Sequence, residues 1–327
     1  MRHLRALLPC LVLVGAGACS DDGGARSSAG GDPVAPSSTA SAASRGSFSL
    51  LAYNVAGLPE GISKSNPEAN APLIGRFLND YDVVLTQEDF GFYTDAMRAE
   101  TDHEFLSVPH PGPDRLNPVG RDDAITGDGL NVLSDFPIDT ELDRVPWINC
   151  GDASADCLAL KGFAVTTMDL GADAAGGAST EGHDPNGDGD GDALTVELIS
   201  LHVEAGGVDS ALRAENLELL AEYLQDQAPG RPVVIGGDWN LRTDEEPDAT
   251  QYEDFLEATG LQDACSTVEC GEDVDVIDKV AYRSSDRLTL TPTSHAFERE
   301  RFVDGDGEPL SDHDPLHVDF DWETSAN

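Results

Sequence analysis

The segment PVVIGGDWN, residues 232–240, joins an apolar run to a polar end. Its first half is typical of a buried β-strand. Two glycines then lead into Asp238 and Asn240, which carry a carboxylate and an amide. The segment therefore predicts a core strand that delivers polar side chains to its tip.

Similar strands recur along the chain and alternate with helical patterns. The other predicted strands are 48–54, 81–88, 130–138, 162–170, 194–202, 275–282 and 315–322. Helices are predicted after Pro67, within 90–100, after Asp209 and over 251–260. Because strands and helices interleave, the fold class is α/β or α+β.

Most of these strands also end in, or lie beside, a side chain suited to chemistry. These side chains are Asn54, Glu88, His202, Asp238, Asn240, Asp278, Asp312 and His313. Taken singly, each has a structural explanation, because polar residues commonly cap strands. Their order along the chain carries more information than any one of them.

Together these short motifs resemble the endonuclease/exonuclease/phosphatase superfamily. The matching pieces are Tyr-Asn54, Gln-Glu88, His202, Gly-Asp238-Trp-Asn240, Ile-Asp278-Lys and Ser-Asp312-His313. The resemblance covers residues 47–322. The superfamily includes deoxyribonuclease-I-like nucleases, inositol polyphosphate phosphatases and secreted neutral sphingomyelinases. It implies a four-layer α/β/β/α sandwich with two mixed β-sheets packed face to face, and a divalent-metal phosphodiesterase or phosphatase.

The resemblance also implies which residues hold the metal ion. Glu88 is the main expected ligand, and Asn54 and Asp312 support it. Mg²⁺ or Mn²⁺ suits this set, because hard cations prefer carboxylate and amide oxygens. By the same resemblance, no covalent nucleophile is needed. A serine triad is disfavoured, because the Gly-x-Ser-x-Gly elbow of serine hydrolases is absent from the sequence.

The remaining motif residues are expected to act on the proton and the phosphoryl group. By resemblance, Asp278 orients His313, as a carboxylate fixes an imidazole in other hydrolases. Either Asp238 or His313 activates water, and the sequence leaves both open. Asn240 and His202 are expected to hold the phosphoryl oxygens, and His202 can protonate the leaving group.

One stretch favours a phospholipid head group over nucleic acid as the substrate. The segment NCGDASADCLALKGF, residues 149–163, resembles the bacterial sphingomyelinase segment in which a Cys-Gly-rich loop precedes a Lys-Gly strand. Membrane-acting sphingomyelinases often carry an aromatic-tipped hairpin, whereas residues 283–310 contain only Phe297 and Phe302 as aromatics. The alternatives are an extracellular endonuclease and a non-catalytic binding module on the same scaffold.

The net charge agrees with that preference. The 327 residues include 62 acidic and 19 basic side chains, which gives −43 at neutral pH. Such a field repels polyanions unless cations intervene, so a strongly basic nucleic-acid binder is excluded. The 39% apolar content excludes a fully disordered chain. We expect the protein to be a monomer.

The N-terminus is typical of an exported protein. Residues 1–18 combine a basic start with a short apolar stretch, as signal peptides do. Small residues before Cys19 resemble a bacterial lipoprotein signal, so Cys19 is a candidate for lipidation. Residues 19–46 are predicted to be a flexible tether, and residues 323–327 a tail after the catalytic domain at 47–322. The protein is therefore expected to be lipid-anchored to the cell envelope or secreted.

Four cysteines remain beyond the leader, and they form two close pairs in sequence. The predicted disulfides are Cys150–Cys157 and Cys265–Cys270, because short loops close easily. A zinc site is the alternative, although neither pair has the two-residue spacing of zinc knuckles.

A separate acidic stretch at residues 184–192 resembles a calcium loop. Its candidate ligands at alternating positions are Asp184, Asn186, Asp188, Asp190 and Asp192. The usual bidentate glutamate is missing from this stretch, so a solvated acidic hairpin is the alternative. A bound Ca²⁺ would stiffen the hairpin that leads to His202.

Overall fold

A computed structural model describes residues 43–110, 124–151, 155–171, 194–206, 210–271 and 276–325. The predicted signal peptide, Cys19 and the predicted calcium loop at 184–192 lie outside the described residues. The described residues belong to one compact unit. None of the helices in the described part of the chain is long and apolar enough to cross a bilayer.

Within the described ranges, twelve strands build the core. In chain order they are β1 (Arg45–Asn54), β2 (Val83–Gln87), β3 (Phe105–Leu106), β4 (Asn131–Ser134), β5 (Asp143–Pro146), β6 (Gly162–Asp169), β7 (Thr195–His202), β8 (Val233–Asp238), β9 (Gln262–Asp263), β10 (Asp278–Arg283), β11 (Leu288–Phe297) and β12 (Leu316–Thr324). They form two six-stranded sheets, ordered β11-β12-β1-β2-β4-β3 and β5-β6-β7-β8-β10-β9. Each sheet is mixed, because β1 and β2 are parallel, as are β7 and β8, while the other pairs are antiparallel.

Five α-helices accompany the sheets in the described residues. They are α1 (Pro67–Leu78), α2 (Thr94–Arg98), α3 (Ser210–Asp226), α4 (Asp248–Thr259) and α5 (Ala264–Val268). Proline occupies the first turn of α1. It suits a helix start, because proline has no backbone N–H and an N–H at this position would have no intrahelical partner. Gly260 ends α4 in the left-handed conformation, with φ of 68°.

Three apolar clusters separate four layers. The first lies between the sheets and includes Leu50 of β1 and Leu198 of β7. Alternate residues face the other way, so Leu51 packs with α1, and Ile199 packs with α3 and α4. The predicted four-layer α/β/β/α sandwich with two mixed sheets is therefore confirmed.

The strand directions bring several strand ends to one edge of the sandwich. In the second sheet His202 pairs with Asp238, and Asp238 pairs with Asp278. In the first sheet Asn54 pairs with Gln87. We call this edge, which carries the C-terminal ends of β1, β2, β7 and β8, the site edge.

Both predicted disulfides are confirmed. Cys150 is bonded to Cys157 and Cys265 to Cys270, with Cα–Cα separations of 5.5 and 4.9 Å. The first closes the loop that runs from β5 into β6. The second joins α5 to the residues that follow it.

Candidate active site

Asn54, at the end of β1, lies among three other predicted site residues. Its Nδ2 atom is 3.2 Å from Glu88 Oε1, 3.2 Å from Asp238 Oδ2 and 3.4 Å from His313 Nε2. Ser311 holds this arrangement, since its hydroxyl donates to the Asn54 carbonyl at 2.7 Å and accepts from the His313 backbone N–H. Residues up to 259 positions apart thus form one polar cluster between the two sheets.

His313 is held between two carboxylates. Its Nδ1 is 2.8 Å from Asp278 Oδ2, and its Nε2 is 3.6 Å from Asp238 Oδ2. Burial alone would lower the pKa of His313, but the charges of Asp278 and Asp238 outweigh burial and raise this pKa to about 10. The imidazole is therefore protonated at neutral pH when no cation is bound nearby.

His202 has the opposite protonation state to His313. Its Nε2 lies 3.3 Å from Asp238 Oδ2, and its side chain is buried. Burial lowers the pKa of His202 well below its ordinary value, and the positive charges of Lys161 and His313 act in the same direction. The Trp147 indole donates to the His202 carbonyl at 2.7 Å and fixes the strand end. His202 is therefore a neutral donor or acceptor at neutral pH.

Asp238 connects the two histidines. Burial raises the pKa of Asp238 to about 6, although the charge of His313 acts to lower it. Environments that separate the pKa values of neighbouring groups are typical of acid–base catalysis. The cluster can therefore hold and move protons near neutral pH.

Asn240 is placed by the ends of the neighbouring strands. Its side-chain Nδ2 donates to the Val203 carbonyl at 2.9 Å, and its backbone N–H donates to Asp238 Oδ1 at 3.1 Å. Asn240 is half-buried beside Asp238. Asn240 therefore lies next to Asp238, one of the titratable groups of the cluster.

The predicted metal ligands offer hard oxygen donors. Burial raises the pKa of the Glu88 carboxyl, while the Asn54 hydrogen bond and the charge of Lys161 lower it. Asp312 is exposed and immediately precedes His313. Carboxylate and amide oxygens fit a magnesium-type ion. A second group of possible ligand atoms, from Asp238, Asp278 and His313, lies within 4.8 Å of one another, but the hydrogen bond between Asp278 and His313 already engages two of these side chains.

Strained backbone conformations are concentrated at the site edge. Four of the five non-glycine residues with positive φ among the described residues are Ala56, Glu88, Lys161 and Asn240, at +49°, +52°, +30° and +50°. Such conformations cost on the order of 1–3 kcal/mol each and persist where the surrounding structure enforces them. Gly57 is part of that enforcement: its N–H donates to the Glu88 carbonyl at 3.1 Å, where a Cβ would lie 2.4 Å from the same oxygen. The close approach of Gly57 therefore helps to hold the backbone of Glu88 in its left-handed conformation.

Lys161 is a site residue to which sequence reasoning gave no role. It is only 4% exposed, and its charge acts on the pKa of Glu88, Asp238 and His202. It precedes β6, whose first residue, Gly162, pairs with His202. The sequence carried a signal, since the chain contains only three lysines and this one adjoins a motif strand.

Asp89, next to Glu88, has a structural role. Asn131 Nδ2 donates to its carboxylate at 2.8 Å, and the hydroxyls of Thr86 and Thr94 donate to it as well. The side chain is buried. These bonds hold the loop after β2, which positions Glu88.

The Asp278–His313 pair leads to a pH-dependent prediction. In metal-free Asp278→Asn protein, we expect the pKa of His313 to fall from about 10 toward its ordinary value of 6.5, because a raising charge is removed. Turnover should fall by about 100-fold, since the imidazole loses its orienting partner. An NMR titration of the histidine ring protons measures the first effect. Asp319→Asn is the matched control, because Asp319 pairs with His317, 3.1 Å from its Nε2, and that variant should leave the His313 titration unchanged.

Comparison with known proteins identifies the family. Residues 51–313 match the endonuclease/exonuclease/phosphatase family. The protein belongs to this family. The matched range contains all of the polar strand ends described above, from Asn54 to His313. The resemblance inferred from the short motifs is therefore confirmed.

Curated relatives carry a more specific name. The chain is 33% identical over 300 residues to proteins named sphingomyelinase from Mycobacterium tuberculosis and Mycobacterium bovis. The match covers 85% of this chain and 53% of each relative. The chain thus spans about half the length of the curated relatives it matches.

Solved structures share the fold at low sequence identity. Sphingomyelinase C from Streptomyces griseocarneus has a TM-score of 0.55 and 19% identity, covering 84% of this chain and 99% of that one. A beta toxin variant from Staphylococcus aureus with bound magnesium ions has a TM-score of 0.56 and 17% identity, with coverage of 84% and 99%. These likenesses support the sandwich architecture.

Proposed function

We propose that this protein is a divalent-metal-dependent phosphodiester hydrolase that cleaves the head group of a phospholipid, as a sphingomyelinase or phospholipase C does. The observation that carries the proposal is the convergence of Asn54, Glu88, Asp238 and His313 within hydrogen-bonding distances at the site edge. Family membership supports the reaction class. The name of the mycobacterial relatives supports the lipid substrate.

Glu88, Asn54 and Asp312 are proposed to hold Mg²⁺ or Mn²⁺. When bound, such an ion neutralises charge on the nonbridging phosphoryl oxygens. The buried ammonium of Lys161 supplies a second positive charge to the same cluster. Lys161, Asn240 and His202 are therefore proposed to hold the phosphate group.

His313 is proposed to take the proton from the attacking water. A cation held at Glu88 would lower the pKa of His313, because like charges disfavour the imidazolium form. Asp278 keeps the proton on Nδ1, so Nε2 accepts. The new P–O bond forms to water as the ester P–O bond breaks. The proton gained by His313 Nε2 passes to Asp238 Oδ2, 3.6 Å away, and the His202–Asp238 pair, 3.3 Å apart, delivers it to the leaving oxygen.

The charge of the protein supports a zwitterionic substrate. With −43 overall, the protein repels a polyanion such as DNA more than a phosphocholine head group, whose own charges cancel. An extracellular endonuclease is the second candidate within the same reaction class.

A substrate panel tests the proposal. Purified protein is added to sphingomyelin vesicles, phosphatidylcholine vesicles and supercoiled plasmid, each with Mg²⁺, with Mn²⁺ or with chelator. We expect phosphocholine release from lipid that stops with chelator and returns with added metal. Nicked plasmid with intact lipid would favour the nuclease, and no hydrolysis of any substrate would favour a non-catalytic binding module.

Lys161 provides a further prediction. Lys161→Met should lower turnover by about 100-fold, because one preorganised positive group at the phosphate is lost. Methionine keeps much of the side-chain length, so the fold should survive. Lys64→Met is the matched control, since Lys64 is exposed on the loop after β1. Steady-state kinetics on both variants measure the difference, and equal rates would remove Lys161 from the site.

We also propose that the chain is exported, with residues 1–18 removed and Cys19 lipidated. The sequence pattern before Cys19 supports this proposal. Metabolic labelling with palmitate should mark the wild-type protein and leave a Cys19→Ser variant unlabelled. A labelled variant, or an unlabelled wild type, would favour ordinary secretion.

A further inference from the structure

The exposed large apolar side chains of the described residues share one location. These side chains are Ile62, Phe92, Val108, Ile125, Ile148 and Leu158. Their exposed fractions range from 37% for Leu158 to 73% for Ile148. Single exposed apolar residues are ordinary on soluble proteins, so their common position is the informative feature.

Strand directions place all six at the site edge. Ile62, Phe92 and Ile148 follow β1, β2 and β5, which end there, since Asn54 ends β1, Gln87 ends β2 and Pro146 pairs with Gly162. Ile125 and Leu158 precede β4 and β6, which begin there. Val108 follows β3, which runs antiparallel to β4 toward the same edge. Within the described residues, the connections at the opposite edge carry no exposed large apolar side chain.

Backbone contacts tie these loops to the catalytic cluster on two sides. On one side, the Gly57 N–H bonds to the Glu88 carbonyl, and the Glu60 N–H bonds to the Tyr93 hydroxyl at 3.3 Å. These bonds join the loops that carry Ile62 and Phe92. The apolar side chains therefore border the loop that presents Glu88.

On the other side, the Trp147 N–H bonds to the Lys161 carbonyl at 3.2 Å, and the Ile125 N–H bonds to the Leu158 carbonyl at 2.8 Å. Ile148 directly follows Trp147. The apolar side chains on this side therefore border Lys161, and the candidate active site lies between the two groups.

We propose that these six side chains form a docking surface for a bilayer of zwitterionic phospholipid. The inference rests on the proposed function and extends it, because the phosphodiester of a membrane lipid lies at the depth of its head group. Apolar side chains around the site would enter the interface and bring the cluster to that depth. The net charge of the whole protein, −43, favours a neutral bilayer over an anionic one.

The C-terminal hairpin does not supply this contact. Phe302 is buried and packs on Tyr53, with ring centroids 5.1 Å apart. Phe297 is half-buried, with Arg299 over its ring. The loops at the site edge would therefore make this contact in place of the C-terminal hairpin.

Vesicle binding tests the docking surface separately from catalysis. The protein carries His313→Ala, so that lipid stays intact, and Cys19→Ser, so that no N-terminal lipid contributes. Co-sedimentation with sphingomyelin–phosphatidylcholine vesicles is compared with and without Ile62→Ser, Phe92→Ser and Ile148→Ser. We expect affinity to fall about tenfold per side chain. Vesicles containing phosphatidylglycerol should bind the parent protein more weakly than neutral ones.

A second measurement retains His313. The triple variant should hydrolyse a soluble phosphocholine ester at the parent rate and lose activity on vesicles. Gln225→Ser, exposed on α3, is the control and should match the parent protein in both assays. Unchanged vesicle binding by the triple variant, or equal loss on soluble ester and vesicles, would overturn the docking surface. If the parent protein cleaves neither substrate, the proposed function fails, whereas the sedimentation result still decides docking.

Discussion

The His313→Ala variant is expected to lose about a thousandfold in kcat for phosphodiester hydrolysis. The reason is geometric: His313 is the side chain that contacts Asn54, Asp238 and Asp278 together. Without the imidazole, no group at that position accepts a proton from water. The circular dichroism spectrum should stay unchanged, because the side chain is half-buried at the site edge and outside the three apolar clusters.

His317→Ala is the matched control for that variant. His317 also contacts two carboxylates, with Nδ1 3.1 Å from Glu298 and Nε2 3.1 Å from Asp319. It packs against Tyr81, with ring centroids 5.0 Å apart. Because it meets none of the cluster residues, its removal should leave kcat near that of the wild type. Near wild-type turnover in His313→Ala would refute the assigned role.

The Glu88→Gln variant is expected to need about 100-fold more Mg²⁺ for half-maximal activity. Glutamine keeps the shape of the side chain and the hydrogen bond with Asn54, but it loses the negative charge that attracts the cation. The measurement is an activity titration with Mg²⁺ in chelator-treated protein. At saturating metal, part of the lost rate should return.

Glu60→Gln controls for a general loss of negative charge. Glu60 is exposed on the loop after β1, and its backbone N–H makes the bond to Tyr93. Its replacement removes one charge near the site without touching the cluster. We expect an unchanged Mg²⁺ titration for Glu60→Gln, and an identical shift in the two variants would contradict the metal role of Glu88.

Much of the fold could be predicted from sequence, because the decisive strands are buried and apolar. The run before Asp238 indicates a strand, and β8 covers Val233–Asp238. Strand β11 was not predicted. It lies at the edge of its sheet, with exposed threonines between buried residues, so no continuous apolar run marks it. The short strand β5 was missed for a similar reason, since none of its residues is buried.

The candidate site was predicted as a set of residue types, whereas the structure gives their distances and charges. The fold brings Asn54, Glu88, Asp238 and His313 together, as the order of their motifs predicted. The protonation states could not be predicted, because burial and neighbouring charges move His202 and His313 in opposite directions. Lys161 could be placed in the site only once the pairing of β6 with β7 was known.

Anomalous diffraction from a crystal soaked in Mn²⁺ tests the central claim most directly. We expect a peak coordinated by the Glu88 carboxylate, beside Asn54 and within the cluster that contains His313. A crystal of active, metal-dependent protein with its manganese peak elsewhere, and none at Glu88, would contradict it.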